Sequence, residues 1–410
     1  MIPRDPSLES GLAVLREGYD FIPSRSRRFG SDIFAARVMG REVTCLTGAE
    51  AAAQFYVPRR FTRQGALPAP TFSLIQDFGS VMALDGEDHR HRKALLLSIL
   101  APEALGRLPG LTEHHWRRAA ARWAEKGEVS LFDASHEPLT AAITEWAGLA
   151  LTPEEVRQRA REFRDMVEGT GSIGPRNWWG HWQRRRTERW ARGTIEGIRE
   201  GRLGVPLGSA AASIAAHRDR EGRLLDVVTA GVELINILRP TVANARWAMF
   251  IAMALHEHPE WQARLAEEEW VDPFVQEVRR LYPFIPFMGG IVRQPFRWRD
   301  HDFREGDWVL LDLFGTGRDP AAWEAPEEFR PERWRGADWV TRPGFVPHGG
   351  GEHAMTHRCP GEWVTVEQMK VIARLLARDM RWDVPPQDLS LPPGRMPALP
   401  RSRFRIRVRS

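Results

Sequence analysis

The fold is decided by the stretch Phe345-Val-Pro-His-Gly-Gly-Gly-Glu-His-Ala-Met-Thr-His-Arg-Cys359-Pro-Gly-Glu-Trp363, a glycine-rich loop that ends at a thiol. Apolar residues then recur at helical spacing through Val366, Met369 and Ala373, which predicts a helix that begins just after the cysteine. A thiol at a helix N-terminus faces unbonded amides and the positive end of the helix dipole. The sequence therefore predicts that Cys359 is held as a thiolate.

The composition argues against secreted and membrane-spanning classes. Cys45 and Cys359 are the only cysteines among 410 residues, so a disulfide framework is not expected. Hydrophobic residues make up 42% of the chain, which is enough to bury a core, but they never form a membrane-length apolar run. The N-terminal residues lack a signal pattern, so we expect a cytoplasmic protein with no transmembrane segment.

A basic cluster in the middle of the chain mixes arginines with tryptophans. It contains Arg184, Arg185, Arg186, Arg189 and Arg192, interleaved with Trp178, Trp179, Trp182 and Trp190. Such a mixture suits nucleic acid, a membrane surface, or a solvated helix face whose tryptophans pack inward. Because charge runs are usually solvated surface, we predict the inward-packed arrangement and no nucleic-acid partner.

The hydrophobic periodicity predicts one mainly helical domain over residues 1–410, with small β-sheets. A hairpin is predicted at residues 34–38 and 42–46, followed by a helix at 49–56, and further strands at 296–299, 308–313 and 403–409. The pattern from 88 to 265 is mostly helical and includes one long helix at about 224–254.

The residues of the cysteine loop leave several uses for the thiol open. A zinc site built from His353, His357 and Cys359 would lack the usual fourth ligand. A nucleophilic cysteine with His357 or His353 as base is a second use, and an inert buried cysteine is a third. A second motif in the chain favours a fourth use.

That motif is a short predicted helix, Asp272-Pro-Phe-Val-Gln-Glu277-Val-Arg-Arg280-Leu-Tyr-Pro283, with Asp272 as N-cap and Pro273 in the first turn. Glu277 and Arg280 share one face of it, and Phe329-Arg-Pro-Glu-Arg333-Trp334 follows downstream. With the cysteine loop, this ordered set resembles a cytochrome P450 across essentially the whole chain.

The resemblance implies the mainly α cytochrome P450 fold around haem b. In such proteins Cys359 would be the axial thiolate ligand of the haem iron, which favours cleavage of an O–O bond. Glu277, Arg280 and Arg333 would form a structural network behind the haem. The matching cofactor-binding positions are His357, His89, Lys93 and Arg63.

Two departures from ordinary members point to a narrower branch. Phe345 lies fourteen residues before Cys359 instead of the usual seven, so a Gly-Gly-Gly-Glu-His insert is added to the loop. The long helix carries Arg239-Pro240 where ordinary members carry an acid and alcohol pair. Pro240 should kink the helix, and the buried Arg239 needs an anion. Together these features are similar to the fatty-acid peroxygenase branch.

The branch implies a peroxygenase that uses hydrogen peroxide to hydroxylate long-chain fatty acids at the α and β carbons, with decarboxylation to terminal alkenes as a further outcome. Arg239 and Pro240 would be the catalytic pair, with the substrate carboxylate acting as acid and base. Met82, Arg239 and Phe287 would line the pocket, and no obligatory redox partner is expected. The alternatives are a reductase-dependent monooxygenase, a lipid-hydroperoxide isomerase, and a non-catalytic zinc- or haem-binding protein.

Overall fold

The computed structural model describes residues 2–75 and 79–409. The helices are α1 (Gly11–Glu17), α2 (Phe21–Phe29), α3 (Ala49–Phe55), α4 (Ala69–Ile75), α5 (Gly86–Leu100), α6 (Pro102–Leu105), α7 (Leu108–Lys126), α8 (Leu131–Trp146), α9 (Pro153–Gly169), α10 (Pro175–Arg199), α11 (Ala210–Ala216), α12 (Val227–Val242), α13 (Ala245–Glu257), α14 (Glu260–Arg264), α15 (Val271–Leu281), α16 (Leu313–Thr316) and α17 (Glu362–Arg374). The strands are β1 (Ile33–Val38), β2 (Arg41–Leu46), β3 (Phe61–Thr62), β4 (Glu128–Ser130), β5 (Phe287–Val292), β6 (Phe296–Trp298), β7 (His301–Phe303), β8 (Trp308–Asp312), β9 (Arg381–Asp383) and β10 (Arg405–Arg409).

The sheets are small and lie at the margins of the helical body. The largest has the order β1-β2-β8-β5-β3, with β1 and β2 antiparallel and β2 parallel to β8. Strand β10 pairs with β4 on one side and β9 on the other. The predicted hairpin and the strands β6, β8 and β10 are confirmed, as is the mainly helical class with minor sheets.

The predicted long helix at 224–254 is two helices, α12 and α13, so that prediction is wrong in detail. Pro240 lies inside α12 and has no amide to offer the carbonyl of Asn236, and α12 ends two residues later at Val242. A turn at Ala243 and Asn244 separates the helices, and Asn244 Nδ2 donates to Gln368 Oε1 of α17 at 2.7 Å. The turn between α12 and α13 is therefore held in place by this hydrogen bond to α17.

Two further predictions fail. Helix α15 begins at Val271 with Trp270 as its N-cap, so Asp272 lies in the first turn and does not cap it. The tryptophans of α10 do not all pack inward, because Trp178, Trp179 and Trp182 are exposed. In the described ranges, no helix is long and apolar enough to cross a bilayer.

Candidate functional site

Cys359 ends the glycine-rich loop two residues before the N-cap of α17, which is Gly361. The loop folds back on itself, since the amide of Cys359 donates to the carbonyl of His348 at 2.9 Å. Burial raises the pKa of the Cys359 thiol, and the Gly361 amide only partly opposes this. Without a bound metal, burial of the Cys359 sulfur therefore outweighs the effect of the helix terminus on its pKa.

Glu362, the first residue of α17, is fully buried and holds the cysteine loop together. It accepts hydrogen bonds from Arg279, from Arg358 Nε at 2.7 Å and from His353 Nε2 at 3.0 Å. Burial would raise the pKa of Glu362, but Arg279, His353 and Arg358 lower it well below its usual value. His353 is thus bonded to Glu362, and the described residues contain no group of three or more His, Cys, Asp or Glu side chains placed to hold a metal ion.

The glycine insert packs against Tyr56. A Cβ on Gly350 would lie 2.8 Å from Tyr56 Cδ2, and one on Gly351, where φ is +75°, would lie 3.2 Å from Tyr56 Cβ. Only glycine fits such an approach without displacing the ring. The insert is therefore a packed part of the structure.

Lys93 ties α5 to the cysteine loop. Its ammonium donates to the carbonyl of Thr356 at 2.9 Å and to the carbonyl of Arg358, and its side chain is buried. Burial lowers the pKa of Lys93 to about 8. The structure thus places Lys93 directly against the backbone that carries Cys359.

Next to this loop, a cavity that opens to solvent is bordered by several basic groups and by Asp85. Its lining includes Arg63, His89 and His357, three of the predicted cofactor-binding residues. The rings of His89 and His357 lie 4.2 Å apart, and burial lowers their pKa values to about 3 and about 4. Arg63 Nε and His357 Nδ1 are buried without a hydrogen-bond partner in the described parts of the chain. The cavity can therefore receive an anionic group.

Behind the cysteine loop, Glu277, Arg280 and Arg333 come together. The Glu277 carboxylate accepts two bonds from Arg280, at 2.8 and 2.7 Å, and one from Arg333 Nε at 3.1 Å. The indole of Trp334 donates to the same carboxylate at 2.8 Å. Glu277 and Arg280 are fully buried, so the pair is a buried, multiply bonded ion network rather than a surface pair.

Arg239 lies on α12 with its guanidinium buried and bonded to neutral acceptors. It donates to the carbonyls of Leu74 and Ile75, which belong to α4, and to Asn236 Oδ1 at 3.3 Å. Burial lowers the pKa of Arg239 to about 9. No carboxylate bonds to it among the residues that the structure describes, and Pro240 beside it is exposed.

A second set of polar residues on α12 was missed by the sequence reasoning. Glu233 is buried and accepts from Arg92 Nη1 and from the amide of Val81, both at 2.9 Å. Asn236 Nδ2 donates to Glu233 Oε2 at 3.1 Å, so a chain of contacts runs from Arg92 to Arg239. The spacing of 233, 236 and 239 was a visible signal, because residues three apart share a helix face.

The remaining predicted pocket residues are less enclosed. Met82 is partly buried in the turn 81–83, next to the amide that Glu233 binds. Phe287 is partly buried at the start of β5. Strand β5 was not predicted because its Gly289-Gly290 centre lacks strand-forming side chains. A Cβ at Gly289 would lie 2.2 Å from the carbonyl oxygen of Ala66.

Comparison with known proteins identifies the family. The family model for cytochrome P450 matches residues 240–406. The curated human cytochrome P450 26C1 is 25% identical over 443 residues, covering 92% of this chain and 82% of that one. A solved structure of cytochrome P450SP alpha (CYP152B1) in complex with (R)-ibuprophen is 44% identical, covers 98% of each chain and superposes with a TM-score of 0.94. The chain belongs to the cytochrome P450 family.

Two further solved structures place this P450 within its family. Cytochrome P450EX alpha (CYP152N1) with myristic acid is 38% identical, with a TM-score of 0.94 and coverage of 99% of this chain and 98% of that one. A variant of cytochrome P450 OleT in complex with arachidonic acid is 31% identical, with a TM-score of 0.95 and coverage of 100% and 98%. The resemblance to the fatty-acid peroxygenase branch is confirmed.

Haem with a cysteine thiolate is the cofactor of this family, as the sequence predicted. The residues of this P450 fit such a group, because Cys359 offers one sulfur ligand and Arg63 offers a buried Nε–H without a partner beside the neighbouring cavity. A guanidinium donor of this kind suits a carboxylate of haem b. Iron would also supply the positive charge that the buried Cys359 thiolate lacks in the protein alone.

Proposed function

We propose that this P450 is a peroxygenase that uses hydrogen peroxide to hydroxylate long-chain fatty acids at the α and β carbons, with oxidative decarboxylation as a second outcome. The observation that carries the proposal is Arg239, a buried guanidinium on α12 that the described residues supply only with neutral acceptors. A buried guanidinium gains most from a carboxylate, which it binds through two parallel hydrogen bonds.

The acids and alcohols of α12 support the same reading. Glu233 is the only acidic residue in α12, and Arg92, the Val81 amide and Asn236 already bind its carboxylate. Thr241 donates its hydroxyl to the carbonyl of Ile237 at 2.9 Å. The helix therefore has no free acid and alcohol pair, and a substrate carboxylate at Arg239 would provide the missing acid-base group.

In the proposed reaction, Arg239 fixes the carboxylate, which takes a proton from hydrogen peroxide and returns it to the departing oxygen as water forms. Haem with its thiolate ligand supplies the oxygen-activating chemistry when bound. Hydroxylation converts the acid and peroxide into a hydroxy acid and water. Decarboxylation converts them into a terminal alkene, carbon dioxide and two waters. Because the acid is held by its carboxylate, the reacting carbons are those next to it.

The proposal is tested by supplying the haem-loaded protein with myristic acid in two reaction mixtures. One contains hydrogen peroxide alone; the other contains NADPH, a ferredoxin and its reductase, with catalase to remove peroxide. We expect 2- and 3-hydroxy acids in the first mixture, detected by mass spectrometry. Product only in the second mixture would show a reductase-dependent monooxygenase and refute the proposal.

A matched pair of variants tests the role of Arg239. Arg239→Ala should abolish peroxide-driven turnover, whereas Arg381→Ala, at an exposed position on β9, should leave it unchanged. The reduced, carbon-monoxide-bound spectrum should show thiolate ligation in both variants, which separates substrate binding from haem loading. Substantial activity in a haem-loaded Arg239→Ala protein would contradict the account.

A further inference from the structure

An exposed aromatic surface lies on α10 and the turn before it. Trp178, Trp179 and Trp182 are 69%, 52% and 43% exposed, and Ile173 is 78% exposed. Single exposed apolar side chains are ordinary, but a contiguous set is typical of an interaction surface. These four residues are here called the tryptophan face.

Two indoles of the tryptophan face, those of Trp179 and Trp182, are held in place by neighbouring side chains. Trp179 Nε1 donates to Asp165 Oδ2 of α9 at 2.8 Å. The rings of Trp179 and Trp182 stack with centroids 4.7 Å apart, and the Arg186 guanidinium lies 4.7 Å from the centroid of Trp182. Trp179 and Trp182 are therefore fixed in an outward-facing position and are not free to fold back.

Positive charge continues the same face along α10. The helix contains seven arginines and two glutamates. Arg185 lies three residues after Trp182, and Arg189 lies four residues after Arg185, so both continue the face that carries Trp178 and Trp182. Both arginines are exposed and form no ion pair within the described part of the chain. Tryptophan is enriched at lipid–water interfaces, and arginine near them is attracted to anionic headgroups. A lipid surface accounts for both residue types at once.

The tryptophan face lies one helix away from Arg239. Helix α10 packs closely on α4, since a Cβ on Gly180 would lie 3.2 Å from Leu74 Cδ2, and His181 Nε2 lies 3.1 Å from the carbonyl of Pro70. At the C-terminal end of α4, the carbonyls of Leu74 and Ile75 accept hydrogen bonds from Arg239. If α10 contacts a surface, that surface therefore lies next to α4, the helix whose carbonyls bind Arg239.

We propose that the tryptophan face docks this protein on the surface of an anionic phospholipid bilayer, from which it takes its fatty-acid substrate. The choice of substrate rests on the proposed function, whereas the docking itself does not. Such docking buries the exposed indoles at the headgroup level and neutralises Arg185 and Arg189.

The test is flotation of the haem-loaded protein with vesicles of phosphatidylglycerol and phosphatidylcholine, compared with phosphatidylcholine alone. We expect binding to the anionic vesicles. Trp178→Gln with Trp182→Gln should lower the partition coefficient on the order of tenfold through lost apolar burial. Arg185→Gln with Arg189→Gln should lower it about 25-fold at low salt, since each arginine is worth about fivefold.

A control pair removes exposed leucines elsewhere. Leu8 and Leu12 are 89% and 66% exposed, and their replacement by glutamine should leave vesicle binding unchanged. Equal binding by the parent and the double tryptophan variant, or no binding by the parent, would overturn the proposal. Tighter binding to a single-stranded oligonucleotide than to the vesicles would assign the face to nucleic acid instead. Parallel turnover of a short, fully dissolved fatty acid reports on the proposed function independently.

Discussion

Replacing Arg239 by methionine should make the ligand-free, haem-loaded protein more stable while removing its response to fatty acid. Burial lowers the pKa of Arg239 from 12.5 to about 9. At 1.36 kcal/mol per unit, keeping this charge buried at pH 7 costs about 5 kcal/mol. Its bonds to the Leu74 and Ile75 carbonyls and to Asn236 return about 3 kcal/mol. The difference favours the variant by about 2 kcal/mol.

The change is measured as a melting temperature. A chain of 410 residues loses about 0.9 kcal/mol of stability per degree near its midpoint, so 2 kcal/mol corresponds to about 2 °C. A fatty acid at about one hundred times its Kd should stabilise the parent by about 2.7 kcal/mol, or about 3 °C. Arg239→Met should lack this fatty-acid shift. The exposed replacement Arg381→Met should keep both the parental melting temperature and the parental fatty-acid shift.

A haem-loaded Arg239→Met protein that melts several degrees below the parent would refute this prediction. That outcome would mean that Arg239 stabilises the fold and has a carboxylate partner in the protein itself. A fatty-acid shift of parental size in the variant would equally refute it, because the substrate would then be held elsewhere. Haem absorbance during the melt separates unfolding from loss of the cofactor.

Three other variants test the framework. Glu277→Gln should destabilise the protein by about 3–5 kcal/mol in urea titrations, because it leaves buried cations without their anion; a loss below about 1 kcal/mol would contradict this. Burial lowers the pKa of His136 to about 4, so the native state binds fewer protons than the unfolded state below pH 6.5 and stability falls as pH falls towards 4. His136→Phe should remove about 3 kcal/mol of that loss in titrations at pH 7 and pH 4. Gly350→Ala should cost about 1–3 kcal/mol by pressing on Tyr56, whereas Gly193→Ala in open space on α10 should be neutral or stabilising.

Much of the fold could be predicted from the sequence because hairpins and helices leave local residue patterns. The family could be predicted because its motifs occur in a fixed order along the chain. The alternation of residues 34–38 and 42–46 predicted the hairpin, and the periodicity after Cys359 predicted α17. The order of Glu277, Arg280 and the cysteine loop carried the resemblance, although the spacing of Glu277 and Arg280 alone is that of any helix-surface pair.

What the sequence did not provide depended on burial and on contacts between distant segments. Glu233 and Arg92 are 141 residues apart, so neither residue alone indicates that they bond. The burial that raises the pKa of the metal-free Cys359 thiol is likewise not visible in the sequence, whereas the helix terminus that opposes it is. Trp178 faces outward because Gly180, two residues later, takes the inner face of α10 against α4.

Two adjacent residues of α5, Arg92 and Lys93, link Arg239 to the cysteine loop. Lys93 binds the backbone of the cysteine loop, while Arg92 binds Glu233 and through Asn236 reaches Arg239. Any shift of α5 along its axis must therefore disturb the cysteine loop and the surroundings of Arg239 together. By thermodynamic reciprocity, a substrate that tightens the contacts of Arg92 strengthens haem retention by the same free energy with which haem strengthens substrate binding.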